Sequence, residues 1–172
     1  RFLLPGSEAT YRTQPFNPVF LDRLRPFSAL RFLWWARTSS MAAPGGMADW
    51  SQRMRPTYAF QSSGGVALEY MVDLANQLGV DPWFTLPHDA TDETVRQYAT
   101  LVHDRLDPRL RPHVEYSNET WNGGYPQAQW VMDHGQALGL GTSPFQAGQL
   151  YTGLRSAQVF RIWEQVYGGH SR

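Results

Sequence analysis

Apolar and polar positions along this chain switch between two periods, one close to 3.6 residues and one of short unbroken runs. Phe2-Leu3-Leu4 is a brief apolar run closed by Pro5-Gly6, which predicts a strand followed by a turn. Pro18 suits a first helical turn, and Val19, Phe20, Leu21 and Leu24 follow at helical spacing until Pro26. Residues 29–36 are apolar enough for a buried strand, and a long loop rich in Gly, Pro and Ser runs from Arg37 to Gly65. Leu68, Met71, Val72, Ala75 and Leu78 form the stripe of a helix over 66–78, closed by Gly79.

The cycle then repeats. Residues 83–86 predict a strand ending at Pro87-His88-Asp89, and Thr91 or Asp92 caps a helix that runs to about Leu106. Residues 113–116 predict a further strand, and helical patterns follow at about 126–138 and 144–167. Strands alternating with helices predict an α/β fold with a parallel sheet, closed into a barrel or doubly wound. No glycine fingerprint follows the first strand, so the pattern leans towards a barrel.

Composition narrows the chemistry. The 172 residues carry 15 basic and 15 acidic side chains, and every basic one is Arg. A zero net charge argues against a nucleic-acid binder that works through a strong positive field. Without Lys there is no Schiff-base or phosphate-loop chemistry, and without Cys there is no thiol nucleophile, thiolate metal site or disulfide. Asp, Glu, His, Arg, Tyr and hydroxyls remain, beside seven Trp. No stretch approaches the roughly 20 apolar residues of a membrane span.

In parallel α/β folds the chemistry collects where strands end and the following loops begin. Those ends carry Arg37, then His88 with Asp89, then Asn118 with Glu119. Alternation also places Arg31 and Glu115 on strand interiors, where each charge needs a partner; an ion pair between them inside a barrel is expected.

The run Glu115-Tyr116-Ser117-Asn118-Glu119-Thr120-Trp121-Asn122 resembles the end of the fourth strand in clan A glycoside hydrolases, which are retaining (β/α)8-barrel enzymes. Along most of its length the chain is also similar to secreted bacterial proteins of the cellulose-binding or glycoside-hydrolase-like type, through Phe16-Asn17-Pro18, Leu30-Arg31-Phe32, Asp81-Pro82-Trp83-Phe84 and Pro87-His88. The resemblance implies a partial TIM barrel, about its first four βα units, with residues 1–172 as one domain cut from a longer, extracellular chain. It implies Glu119 as general acid/base and Asn118 as the group that holds the sugar 2-hydroxyl, with His88 lining the site. Arg37 would help to orient it, and Trp121, Trp35 and Tyr125 are candidate sugar platforms, with Trp34 and Trp50 beside them. The expected partner is an oligo- or polysaccharide, with no nucleic acid, metal or cofactor.

A retaining enzyme needs a second carboxylate, about 5–5.5 Å from the first. The six Glu are 8, 69, 93, 115, 119 and 164, and of these Glu115 and Glu119 alone fall near a predicted strand end. The nucleophile is therefore expected outside this chain, which would be inactive by itself. A non-catalytic carbohydrate-binding protein on the same scaffold is the alternative. A metal-dependent enzyme using His88, Asp89, Glu115 and Glu119 is a weaker one.

Overall fold

The computed structural model describes residues 6, 8–11, 13–38, 48–62 and 64–169. Helix α1 (Pro18–Leu24) starts where the Asn17 side chain accepts the Val19 N–H and where proline sits in the first turn. Strand β1 (Ala29–Arg31) leads into a one-turn helix, α2 (Leu33–Ala36). A 3-10 turn at Trp50–Gln52 is held by a capping box from Asp49. Helix α3 (Leu68–Leu78) buries the predicted stripe and ends at left-handed Gly79. Strand β2 (Asp81–Leu86), helix α4 (Asp92–Arg105, capped by Thr91) and strand β3 (His113–Tyr116) follow. Two helices complete the described chain, α5 (Pro126–Ala137) and α6 (Pro144–Val166).

The three strands form one parallel sheet in the order β1-β2-β3, with Arg31 opposite Trp83 and Thr85 opposite Glu115. Alternation gives its faces opposite characters. On one face, Phe84 is fully buried and stacks near Phe32, Tyr98 of α4 and Trp163 of α6. Leu86 and Tyr116 join that core, and Met71, Val72 and Leu74 of α3 close it. The other face carries Arg31, Trp83, Thr85 and Glu115. It stays open at Trp83, which is 39% exposed.

Helices α5 and α6 run into each other almost backbone to backbone. A Cβ on Gly135 would collide with the main chain of Ala147, and one on Gly148 would press on Met132. Glycine at both positions is what permits so close a crossing.

This architecture corrects the expected partial TIM barrel of four βα units. The structure is α/β, but the described residues hold three strands in an open sheet and six helices. The run at 2–4, expected to be a strand, lies outside the described residues. The 29–36 run supplies three strand residues instead of eight. Phe32 leaves the extended region (φ −92°, ψ 28°) and the chain turns into α2. That turn sends Phe32 onto Phe84 and Trp35 onto Phe32, two apolar residues at i and i+3, while Trp34 stays exposed. A continuing strand would have thrown Phe32 and Trp35 to opposite faces. After β3 the alternation stops, because α6 follows α5 with no strand between them.

Candidate functional site

Strand β3 leads into a stretch of left-handed backbone. Ser117 (φ 59°) and Glu119 (φ 45°) both adopt the left-handed conformation, and Arg37 (φ 58°), at the end of α2, does the same. Among the described residues no other non-glycine residue has a positive φ. Such conformations cost on the order of 1 kcal/mol or more each and persist where surrounding contacts enforce them. Here the contacts are visible. The Ser117 N–H extends the ladder to the Leu86 carbonyl (2.8 Å), and the Gln127 side chain in the first turn of α5 donates to the Asn118 carbonyl (2.7 Å). The Asn122 N–H closes a turn onto the Glu119 carbonyl (2.9 Å).

These restraints fix two side chains. Asn118 is buried, and its carboxamide oxygen accepts from the Arg31 guanidinium at 2.8 Å. Glu119 is half-buried, and its carboxylate accepts the Asn122 side-chain amide at 2.9 Å. Trp121, two residues on, is 61% exposed.

Behind the loop lies a hydrogen-bonded cluster on the open sheet face. The Arg31 guanidinium reaches Glu115 at 2.7 and 3.0 Å and stacks on the Trp83 ring at 5.1 Å. The Trp83 indole N–H donates to the same carboxylate oxygen at 3.0 Å. The expected pairing partners thus meet, but not inside a barrel: about a third of each side chain remains exposed (33% and 31%) on an open sheet. Arg31 ties this cluster to Asn118, so the sheet face and the Asn118-Glu119 loop share one guanidinium.

The other candidates divide. Trp35 is half-buried and packs against Phe20 (6.3 Å) and Phe32 (5.5 Å). Trp50 lies under the Arg53 guanidinium at 4.5 Å and edge-on to Tyr98. Arg37 lays its side chain along Gly65, close enough that a Cβ there would crowd it. Tyr125 is half-buried at the entrance to α5. Trp34, in α2, is 75% exposed.

His88 turns its ring onto Trp130 of α5 (5.3 Å), and its carbonyl accepts the Tyr116 hydroxyl at 2.8 Å. Burial holds the imidazole below the usual histidine range; neighbouring Asp89 pulls the other way, and His134 reinforces the burial. Burial likewise pushes the Tyr116 phenol up, so it stays a neutral donor.

Sequence reasoning missed Trp83, Gln127 and Asn122 as supports of the site. For Trp83 the signal was available: it shares a face with Arg31 in a parallel register. For Gln127 there was none, since a glutamine early in a helix is ordinarily solvated. Among the described residues no group of three or more His, Asp and Glu could hold a metal ion, and no helix is long and apolar enough to cross a membrane. The chain matches no family model, no curated protein and no solved structure.

Proposed function

We propose that the Asn118-Glu119 loop is a glycan-directed site of the glycoside-hydrolase type. The observation that carries this reading is the strained loop itself: it presents the half-buried Glu119 carboxylate at the end of β3, two residues before the exposed Trp121. A carboxyl group and an exposed aromatic ring on one loop suit a sugar, whose ring has an apolar side to stack and hydroxyls to bond. Glu119 then protonates a glycosidic oxygen, with Asn118 oriented by Arg31 to meet a ring hydroxyl.

A specific feature favours the simpler reading, carbohydrate binding without turnover by this chain alone. The nearest carboxylate in sequence, Glu115, is engaged by Arg31 and by Trp83 and is poorly placed to act as a nucleophile.

Calorimetric titration with a panel of soluble β-linked hexasaccharides, paired with a reducing-sugar assay, separates the two. Trp121→Ala is expected to weaken binding about tenfold, the loss of one stacked ring. Where turnover is seen, Glu119→Gln should lower it by at least ~100-fold. If no hexasaccharide binds at millimolar concentration, or if both variants bind and turn over like the parent, the glycan reading fails.

A further inference from the structure

A cavity of about 640 Å³ lies between β3 and α6, and Trp83 and Glu115 of the polar cluster reach its rim while Asn118 and Glu119 do not line it. One wall is the outer side of β3 with its lead-in, residues 112–116, and the other is a single stripe of α6. That volume falls in the range of ordinary ligand pockets. Phe160, Trp163 and Glu164 share the α6 stripe at helical spacing, and Trp83, His113 and Glu115 face them. Among the described residues β3 pairs with β2 alone, so its outer edge offers free backbone donors and acceptors.

The charge in this groove has a precedent within the molecule. Twice the chain sets an arginine on a tryptophan and pairs it with a glutamate. Arg31 lies over Trp83 and bonds Glu115; Arg53 lies over Trp50 and pairs with Glu69 at 2.8 Å. The groove repeats the aromatic and acidic parts of that arrangement with the exposed ring of Phe160 and with Glu164, one helical turn on. Among the described residues no arginine or histidine forms an ion pair with Glu164. Trp163 is 6% exposed, and its buried indole N–H has no acceptor.

We infer that the groove between β3 and α6 binds an extended peptide segment that carries an arginine. The segment adds alongside β3 as a further strand, satisfying the free edge. Its guanidinium completes the third arginine–aromatic–carboxylate set, against Glu164 and the Phe160 ring.

Fluorescence anisotropy on the intact chain tests this with a labelled pentapeptide, arginine at its centre and valine or threonine elsewhere. The arginine peptide is expected to bind. Replacing arginine by uncharged citrulline, or Glu164 by Gln, should each weaken it about fivefold, as for an exposed charge pair with a ring contact. Backbone N-methylation of the peptide should abolish binding, because it removes the strand hydrogen bonds. Glu164 is exposed, so the E164Q chain should melt like the parent, which separates a binding effect from a folding one. Absence of binding overturns the inference, and so does equal affinity for the citrulline or the N-methylated peptide. Sedimentation covers the remaining occupant: a dimer that E164Q dissociates and that the peptide does not displace would assign the groove to a second copy.

Discussion

The two faces of the sheet are built from the same three strands and hold together by different physics. One face is a close-packed aromatic core, in which Phe84 meets Phe32, Tyr98 and Trp163 with no polar atom required. The other is a half-open polar layer, in which Arg31, Trp83, Glu115 and Asn118 satisfy one another. Burial drives the first in proportion to area removed from water. The second returns little net stability, since partly exposed ion pairs are screened and their side chains must be ordered. What the polar layer supplies is placement: it fixes Asn118 through a guanidinium that is itself held at three points. Stability and site geometry are thus assigned to opposite sides of one sheet.

The sharpest break of this division is Phe84→Ala. The ring is fully buried among three others, so the loss should be about 3–5 kcal/mol, read as a lower denaturation midpoint. Arg31→Ala should cost less, about 1–2 kcal/mol, discounted because the pair is a third exposed. Under the proposed glycan reading, its effect on binding should exceed its effect on stability, because Asn118 loses its bond to the guanidinium. Denaturant titration of Arg31→Ala, Glu115→Gln and the double variant gives the coupling between them. If Arg31→Ala proves as costly as Phe84→Ala, the faces are not divided as described.

The smallest expected effect is a pH slope from His88. Its folded value lies below the ordinary value of about 6.5, so the unfolded chain binds the proton more readily. The His88 contribution to stability is therefore complete above about pH 6.5 and is lost as pH falls from there through the lower folded value. Thermal melts across that window should show stability rising with pH, and His88→Gln should flatten the slope. An unchanged slope would place the titration on another group.

Much of this was legible in the chain. Pro18 and Thr91 announced their helices because a proline in the first turn and a capping side chain act locally. The stripe of α3 and the strand at 113–116 followed from periodicity alone. The 29–36 run misled because a short apolar run does not distinguish a buried strand from a buried turn of helix. What decided it was Phe84, about fifty residues away, to which Phe32 had to turn. The barrel failed for a related reason. Alternation of elements up to β3 fits several sheets, and the alternation ends where α6 takes the place of a strand. At the site, the residue types at 115–122 were conspicuous, but the left-handed backbone at Ser117 and Glu119 was not. It arises from contacts with Leu86 and Gln127 that no local pattern encodes.

The order of the strands has a consequence for how the chain closes on itself. The α5–α6 crossing joins over residues 138–143, whereas β1 meets β2 only after residues 32–80 have been looped out. The entropy of closing a loop grows with the logarithm of its length, so seating β1 costs about 2 kcal/mol more than seating α6 on α5. The strand that brings Arg31 to Glu115 and Asn118 is therefore the one with the dearest closure. Arg31 reaches its partners across the longest loop in the sheet, and the polar layer is only as complete as that closure.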